Sequence, residues 1–259
     1  MASRVWEKKN PLYARIEDLL HTASSGIIGS TAFLTPEESV QAEEYLKQSG
    51  YSRCWKLVGG YEDAERKMLL IYPDYLPEEC VEAGDYFCAL EIRTSGYVKL
   101  EHRSFLGALM ALGIERDSLG DILIIDGNAV VFVTAPIAAF LLSEPSPLTF
   151  VGSDKVRVLK ADDQLIASYK RQYKKVEIVV ASMRLDCLVA ELGNLSREKA
   201  KLAISRGEVQ LNYRTGLEPS QTVVSGDVLS IHRKGKFKIT ENGQMTRKDR
   251  YRLSVLVYL

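Results

Sequence analysis

Residues 182–238 read SMRLDCLVAELGNLSREKAKLAISRGEVQLNYRTGLEPSQTVVSGDVLSIHRKGKFK, and the reading of this run decides what the chain is. Leu185, Leu188, Val189 and Leu192 recur three and four apart, which is one apolar stripe of a short helix that Gly193-Asn194 ends. Arg184 is left at its exposed start. Ser196 is a natural N-cap for a second helix, Glu198 suits its positive end, and Ala200, Ala203 and Ile204 form its buried face. Arg197 and Lys201 fall one turn apart on one flank, while Lys199 and Arg206 share the other. Gly207 is placed to take the left-handed conformation that stops the helix. Val209 and Leu211 then alternate, Asn212 opens a turn, and Val228, Leu229 and Ile231 form a strand after a tight Gly226-Asp227 turn. Two helices lined with cations and packed on a small sheet make RNA the first partner to consider. Arginine forks bind phosphate bidentately, lysines act as point charges, and folded RNA is read largely by backbone and shape.

Outward from this run the charge is unevenly placed. The 259 residues carry 34 Lys+Arg and 34 Asp+Glu, but residues 1–150 hold 13 against 22, residues 151–181 hold 7 against 4, and residues 182–259 hold 14 against 8. An acidic body precedes a basic end, an asymmetry that points to an anionic partner such as nucleic acid. Cys54, Cys80, Cys88 and Cys187 have no C-x-x-C spacing and read as free buried thiols. With a polar start that includes Lys8 and Lys9, they predict a cytoplasmic protein. The most apolar stretch, 122–142, is broken by Asp126, Gly127, Asn128 and Pro136, so no membrane span is expected.

The remaining chain predicts an α+β architecture in several parts. Residues 1–78 read as a small α/β unit, with helices over 12–24 and 36–50 and strands over 54–58 and 67–72. Thr35-Pro36 has the chemistry of a helix start. Residues 79–161 read as βαββαβ, the order of a ferredoxin-like sheet that RNA-recognition domains also use. In those domains exposed aromatics on the central strands stack bases, whereas Ala129-Val130-Val131-Phe132-Val133 reads as a core strand. Residues 162–181 form the linker: 162–175 are polar and read as a solvated helix or linker, in which Lys170, Arg171, Lys174 and Lys175 interleave with Tyr169 and Tyr173, an auxiliary RNA-facing strip being the alternative, and 176–180 read as a strand leading into the basic domain at 182–259.

Arg184-Leu185-Asp186, Ser196-Arg197, Ala200, Gly207, Val209, Asn212, Pro219-Ser220 and Gly226-Asp227 fall in the order and spacing of the S-four RNA-binding domain, which this region resembles. The resemblance implies RNA contact by Arg184, Arg197, Lys199, Lys201 and Asn212; Arg206, Arg214, Arg233, Lys234, Lys236 and Lys238 extend that track. Asp186 reads as structural, orienting a neighbouring arginine. Nearly the whole chain resembles the YlmH-like proteins of bacterial cell-division gene clusters, on His102-Arg103-Ser104-Phe105-Leu106-Gly107-Ala108-Leu109, Leu112-Gly113-Ile114 and Gly120-Asp121-Ile122. That group implies a non-enzymatic RNA-binding protein of the large ribosomal subunit, engaging rRNA or tRNA where stalled translation leaves peptidyl-tRNA on the subunit.

Two other classes compete with this reading. An RNA-modifying enzyme such as a pseudouridine synthase would need a catalytic aspartate in a separate domain, and the Arg-Leu-Asp here lies inside the binding domain itself. A methyltransferase would want a Gly-rich strand-to-helix loop, whereas Val58-Gly59-Gly60-Tyr61 runs on into charged residues. His21, His102 and His232 lack metal-ligand spacing, so neither metal nor cofactor is expected. His102-Arg103 opens a helix, a place where anions bind, although capping or packing is the preferred role. The third class is an adaptor for cell-division proteins in which RNA binding is secondary.

Overall fold

The computed structural model describes residues 10–51, 53–240, 244–246 and 249–259. The polar start with Lys8 and Lys9 lies outside them. The chain forms two compact units, Met1–Tyr169 and Lys170–Leu259.

In the first unit, helix α1 (Pro11–Ser24) starts where the Asn10 side chain accepts from the Leu12 N–H at 3.0 Å, and it buries Leu12, Ile16 and Ala23. Strand β1 (Gly29–Ser30) leads to α2 (Pro36–Gln48), whose Thr35 cap exchanges hydrogen bonds with Glu38 in a capping box. Strands β2 (Trp55–Val58) and β3 (Met68–Ile71) complete a sheet in the order β1-β3-β2, with β3 wholly buried.

Strand β4 (Phe87–Thr94), α3 (His102–Ala111), β5 (Leu119–Ile125), β6 (Asn128–Thr134), α4 (Ala135–Leu141), β7 (Phe150–Val151) and β8 (Asp154–Lys160) follow in the expected βαββαβ order. Their antiparallel sheet runs β5-β6-β4-β8-β7, the split arrangement of a ferredoxin-like fold with a short extra edge strand. Period-two alternation sends Leu90, Ile92, Val131, Val133, Val156 and Val158 to one face, where they meet Phe105 and Leu109 of α3 and Ala138 and Leu141 of α4.

The opposite face is what the sequence left unassigned. Phe87, Leu123, Val130 and Phe132 are buried there against Phe33, Met68, Val58 and Tyr61 from the residues before the sheet, and against Leu165, Ile166 and Tyr169 after it. Phe132 is 2% exposed and stacks on Tyr61, so the strand is core and stacks no base. Gly60 lies so close that a Cβ would sit 1.9 Å from the Phe132 ring. Polar bonds lock the same seam. Asp121 accepts from Tyr61 Oη and from the N–H groups of Glu65 and Arg66, while the Arg66 guanidinium donates to the carbonyls of Phe33 and Leu119. Elements on both sides of residue 78 therefore share one core.

The polar stretch 162–181 is not a linker over its length. Its first part forms α5 (Asp163–Ser168), capped by Asp162, and its second forms β9 (Tyr173–Val180), which pairs with β14 (Tyr251–Tyr258) from end to end. The strand read at 176–180 is therefore present and starts three residues earlier, at Tyr173, and Val176, Ile178 and Val180 are the side chains that β9 turns toward the core. The thiols are free, but Cys80 is exposed in a 3-10 turn and the other three are half-buried, which corrects the expectation of buried cysteines.

In the second unit, α6 (Leu185–Gly193) and α7 (Arg197–Ser205) lie against a sheet whose path is β10 (Val209–Leu211), β11 (Val228–Ile231), β12 (Gly235–Ile239), β14 and β13 (Gln244–Met245), with β9 also on β14. Leu185, Leu188, Val189, Ala200, Ala203 and Ile204 bury against Leu229, Ile231, Phe237, Ile239, Leu253 and Val255. Asn194 (φ 50°) and Gly207 (φ 72°) take the left-handed conformation that ends each helix.

Candidate nucleic-acid interface

The basic end of the chain is a structural unit of its own. Residues 170–259 hold 18 Lys+Arg against 9 Asp+Glu, and residues 1–169 hold 16 against 25. Within it, cations converge at the start of the helix pair. Arg184 is the N-cap of α6 and Arg197 is the first residue of α7, and both bind the carboxylate of Asp186 in the first turn of α6. Arg184 donates from Nε to Oδ1 and from Nη2 to Oδ2, each at 3.1 Å, and Arg197 donates from Nε to Oδ2 at 3.1 Å.

Asp186 is fully buried, while the side chains of Arg184 and Arg197 are 40% and 53% exposed. Burial alone would raise the Asp186 pKa; the hydrogen bonds from Arg184 and Arg197 outweigh it and hold the group at about 2. The same bond raises the already high pKa of Arg184. The peptide N–H groups of Leu185 and Asp186 donate to the carbonyls of Gln221 and Pro219, which anchors the turn that carries the carboxylate. Asp186 thus holds two guanidinium groups half in solvent. That geometry suits bidentate capture of phosphate.

The other expected contacts divide. Lys199 is exposed in the first turn of α7, and its own N–H donates to Ser196 Oγ at 3.3 Å. Lys201 pairs with Glu198 at 2.9 Å. Arg206 is exposed at the far end of α7, about 13 Å along the axis from Arg197 at 1.5 Å per residue, and does not join the Arg184–Arg197 pair. Asn212 is exposed but committed to its own turn: its amide donates to Asp227 Oδ1 at 2.8 Å and its carbonyl oxygen accepts from the Val228 N–H at 2.9 Å, which ties the turn to Gly226-Asp227. Arg214 is exposed in that connection, and Lys234 is exposed in the β11–β12 hairpin turn. Lys236 is held between rings, its Nζ 4.6 Å from the centroid of Tyr213 and 5.3 Å from that of Tyr258.

Of two further cations, Arg250 was missed in the sequence and Arg171 was named there only within the auxiliary strip. Arg250 lines a depression of about 310 Å³ together with Arg197, Glu191 and Asn194. Arg171 lies over the Tyr258 ring at 5.4 Å. Both owe their place to β14, whose pairing no local signal announced. At the start of α3, Glu101 takes the position an external anion would use, receiving Arg103 Nε at 3.1 Å while its N–H donates to Ser104 Oγ. This start is capped from within. His102 has its pKa lowered, by burial first and by the nearby Arg116 second. Among the described residues no group of three His, Cys, Asp or Glu side chains is arranged to hold a metal, and no helix is long and apolar enough to cross a membrane.

Residues 85–164 match a family model described as "Putative RNA-binding domain in YlmH". A relative from Bacillus subtilis (strain 168), the ribosome-associated protein quality control protein P2, is 32% identical over 228 residues, covering 86% of this chain and 85% of the relative. The chain belongs to the YlmH family. The solved structure of cell division protein ylmH from Streptococcus pneumoniae is 23% identical, with a TM-score of 0.48 over 59% of this chain and 90% of that one. Within this YlmH-family chain the matched segment covers the ferredoxin-like sheet and carries 7 Lys+Arg against 11 Asp+Glu. The concentration of cations lies outside it, in residues 170–259.

Proposed function

We propose that this chain is a non-enzymatic, cytoplasmic RNA-binding protein that grips structured RNA, rRNA or tRNA, through an S-four domain at residues 182–259. It works there on the large ribosomal subunit, in the quality control of stalled peptidyl-tRNA. The observation that carries this reading is the Asp186-centred pair of half-exposed arginines at the start of two short helices, in a unit with twice as many basic as acidic side chains. A buried carboxylate that orients two guanidinium groups outward prepays the ordering that phosphate binding requires. The name of the Bacillus subtilis relative, a ribosome-associated quality control protein, supports the ribosome as the place of action. Lys199, Lys201, Arg206 and Arg214 supply further phosphate contacts, Lys234 and Lys236 extend them from the β11–β12 hairpin, and Asn212 contributes by shaping its turn.

Crosslinking in living cells followed by sequencing of the attached RNA tests this directly. Reads concentrated in large-subunit rRNA and tRNA are expected. Reads confined to messenger RNA, or no attached RNA, would overturn the proposal.

A further inference from the structure

One part of the ferredoxin-like sheet stays open on the face that the preceding residues otherwise cover. On it, Phe150 of β7 stands opposite Lys155 of β8, and Arg157 of β8 stands opposite Arg93 of β4. Their orientation follows from alternation, because the intervening Val151, Val156 and Ile92 point into the helix-covered core. Phe150 is 55% exposed, and Arg93, Lys155 and Arg157 are exposed.

This arrangement is costly for a sheet left alone. Like charges directly opposite on paired strands repel, and a large exposed ring gains nothing from water. Arg93 is partly accounted for, since it forks onto the nearly buried Glu91 at 3.1 and 2.8 Å. Among the described residues no acidic group partners Lys155 or Arg157. Three of the seven Lys and Arg between residues 85 and 164 meet on this strip, in a segment that is acidic overall. Cations flanking an exposed ring are what a single nucleic-acid strand requires, phosphates on the charges and a base on the ring.

We infer that the strip Arg93–Arg157–Lys155–Phe150 is a second RNA site, distinct from the Arg184–Arg197 pair, that takes a short single-stranded segment. It rests on the reading of the chain as RNA-binding, and adds a single-strand contact to the structured-RNA contact of residues 182–259. The central strands, which RNA-recognition domains use for stacking, are closed by Tyr61 and Phe33, and the function moves to the β7–β8 edge.

The test uses the full chain and a fluorescein-labelled ten-nucleotide oligouridine, with binding read by anisotropy across a salt series. Lys155→Ala with Arg157→Ala should weaken binding at least tenfold and lower the salt slope by about 1.4, at about 0.7 per single-strand phosphate contact. Phe150→Ala should cost about tenfold, the scale of one lost base stack, and Phe150→Trp should restore it. Circular dichroism of each variant separates these losses from unfolding. Wild-type affinity and slope in the double variant, failure of the wild-type chain to bind the oligomer, or equal competition by polyglutamate would overturn the inference. Loss of oligomer binding only when Arg184 and Arg197 are replaced would overturn it too, while leaving the structured-RNA reading intact; tRNA binding indifferent to those arginines would do the reverse.

Discussion

Replacing Asp186 with Asn keeps the shape of the side chain and removes the charge on which two arginines converge. The Asp186 pKa is lowered from 3.8 to about 2 in the folded chain. At 1.36 kcal/mol per pKa unit, that difference stabilises the second unit by about 2 kcal/mol at neutral pH. Because the folded value is the depressed one, the stabilisation is complete above pH 3.8 and disappears as the pH falls through about 2. For a unit of this size the loss lowers the melting temperature by roughly 8–16 °C. Hydrogen exchange by mass spectrometry is the suitable assay, since residues 170–259 contain no tryptophan. Peptides spanning 182–211 should lose protection at pH 7 in Asp186→Asn, with tryptophan fluorescence unchanged, and an acid melt followed by tyrosine near-ultraviolet dichroism should bring variant and wild type together only as the pH falls below about 2. Equal protection at pH 7, or a stability gap that persists in acid, would refute the assigned role of Asp186.

Two further outcomes follow from the first unit. Gly60→Ala should destabilise it by about 1–3 kcal/mol through overpacking against Phe132, seen as a lower urea midpoint in Trp55 fluorescence; an unchanged midpoint would mean the ring can move aside. His102 should titrate below its ordinary 6.5 in an NMR pH series, because partial desolvation and Arg116 both disfavour its charged form, and this contribution to stability is present above 6.5 and lost as the pH falls through the lowered value; titration at or above 6.5 would contradict the assigned influence of Arg116 and desolvation.

How much of this was legible in the sequence depended on whether the deciding interaction was local. The Thr35-Pro36 and Ser196 caps, the βαββαβ order and the α6–α7 pair all announce themselves within a few residues, and each stands where its pattern placed it. The strand read at 176–180 is β9, but its start at Tyr173 and its pairing were not legible, because the partner β14 lies at the far end of the chain. The cover over Phe132 was equally silent, since Tyr61 and Phe33 reach it only through the tertiary fold. At the candidate interface the residue types were readable and their commitments were not. Asn212 spends its amide on Asp227 and Val228, and Lys236 lies between two tyrosines.

The geometry also changes how the interface must be tested. Truncating Arg184 and Arg197 to Ala would leave the Asp186 carboxylate buried without either cation, a state that costs about 3–5 kcal/mol, so weakened binding would be confounded with unfolding. The most direct measurement is tRNA binding over a salt series by the full-length triple variant Arg184→Gln, Asp186→Asn, Arg197→Gln, with Asp186→Asn alone as its control. If the two arginines hold phosphates of a duplex region, the triple variant binds at least tenfold more weakly and its salt slope falls by about 1.8, at about 0.9 per phosphate. An affinity and a slope equal to those of the control would contradict the claim that this pair is where the chain grips RNA.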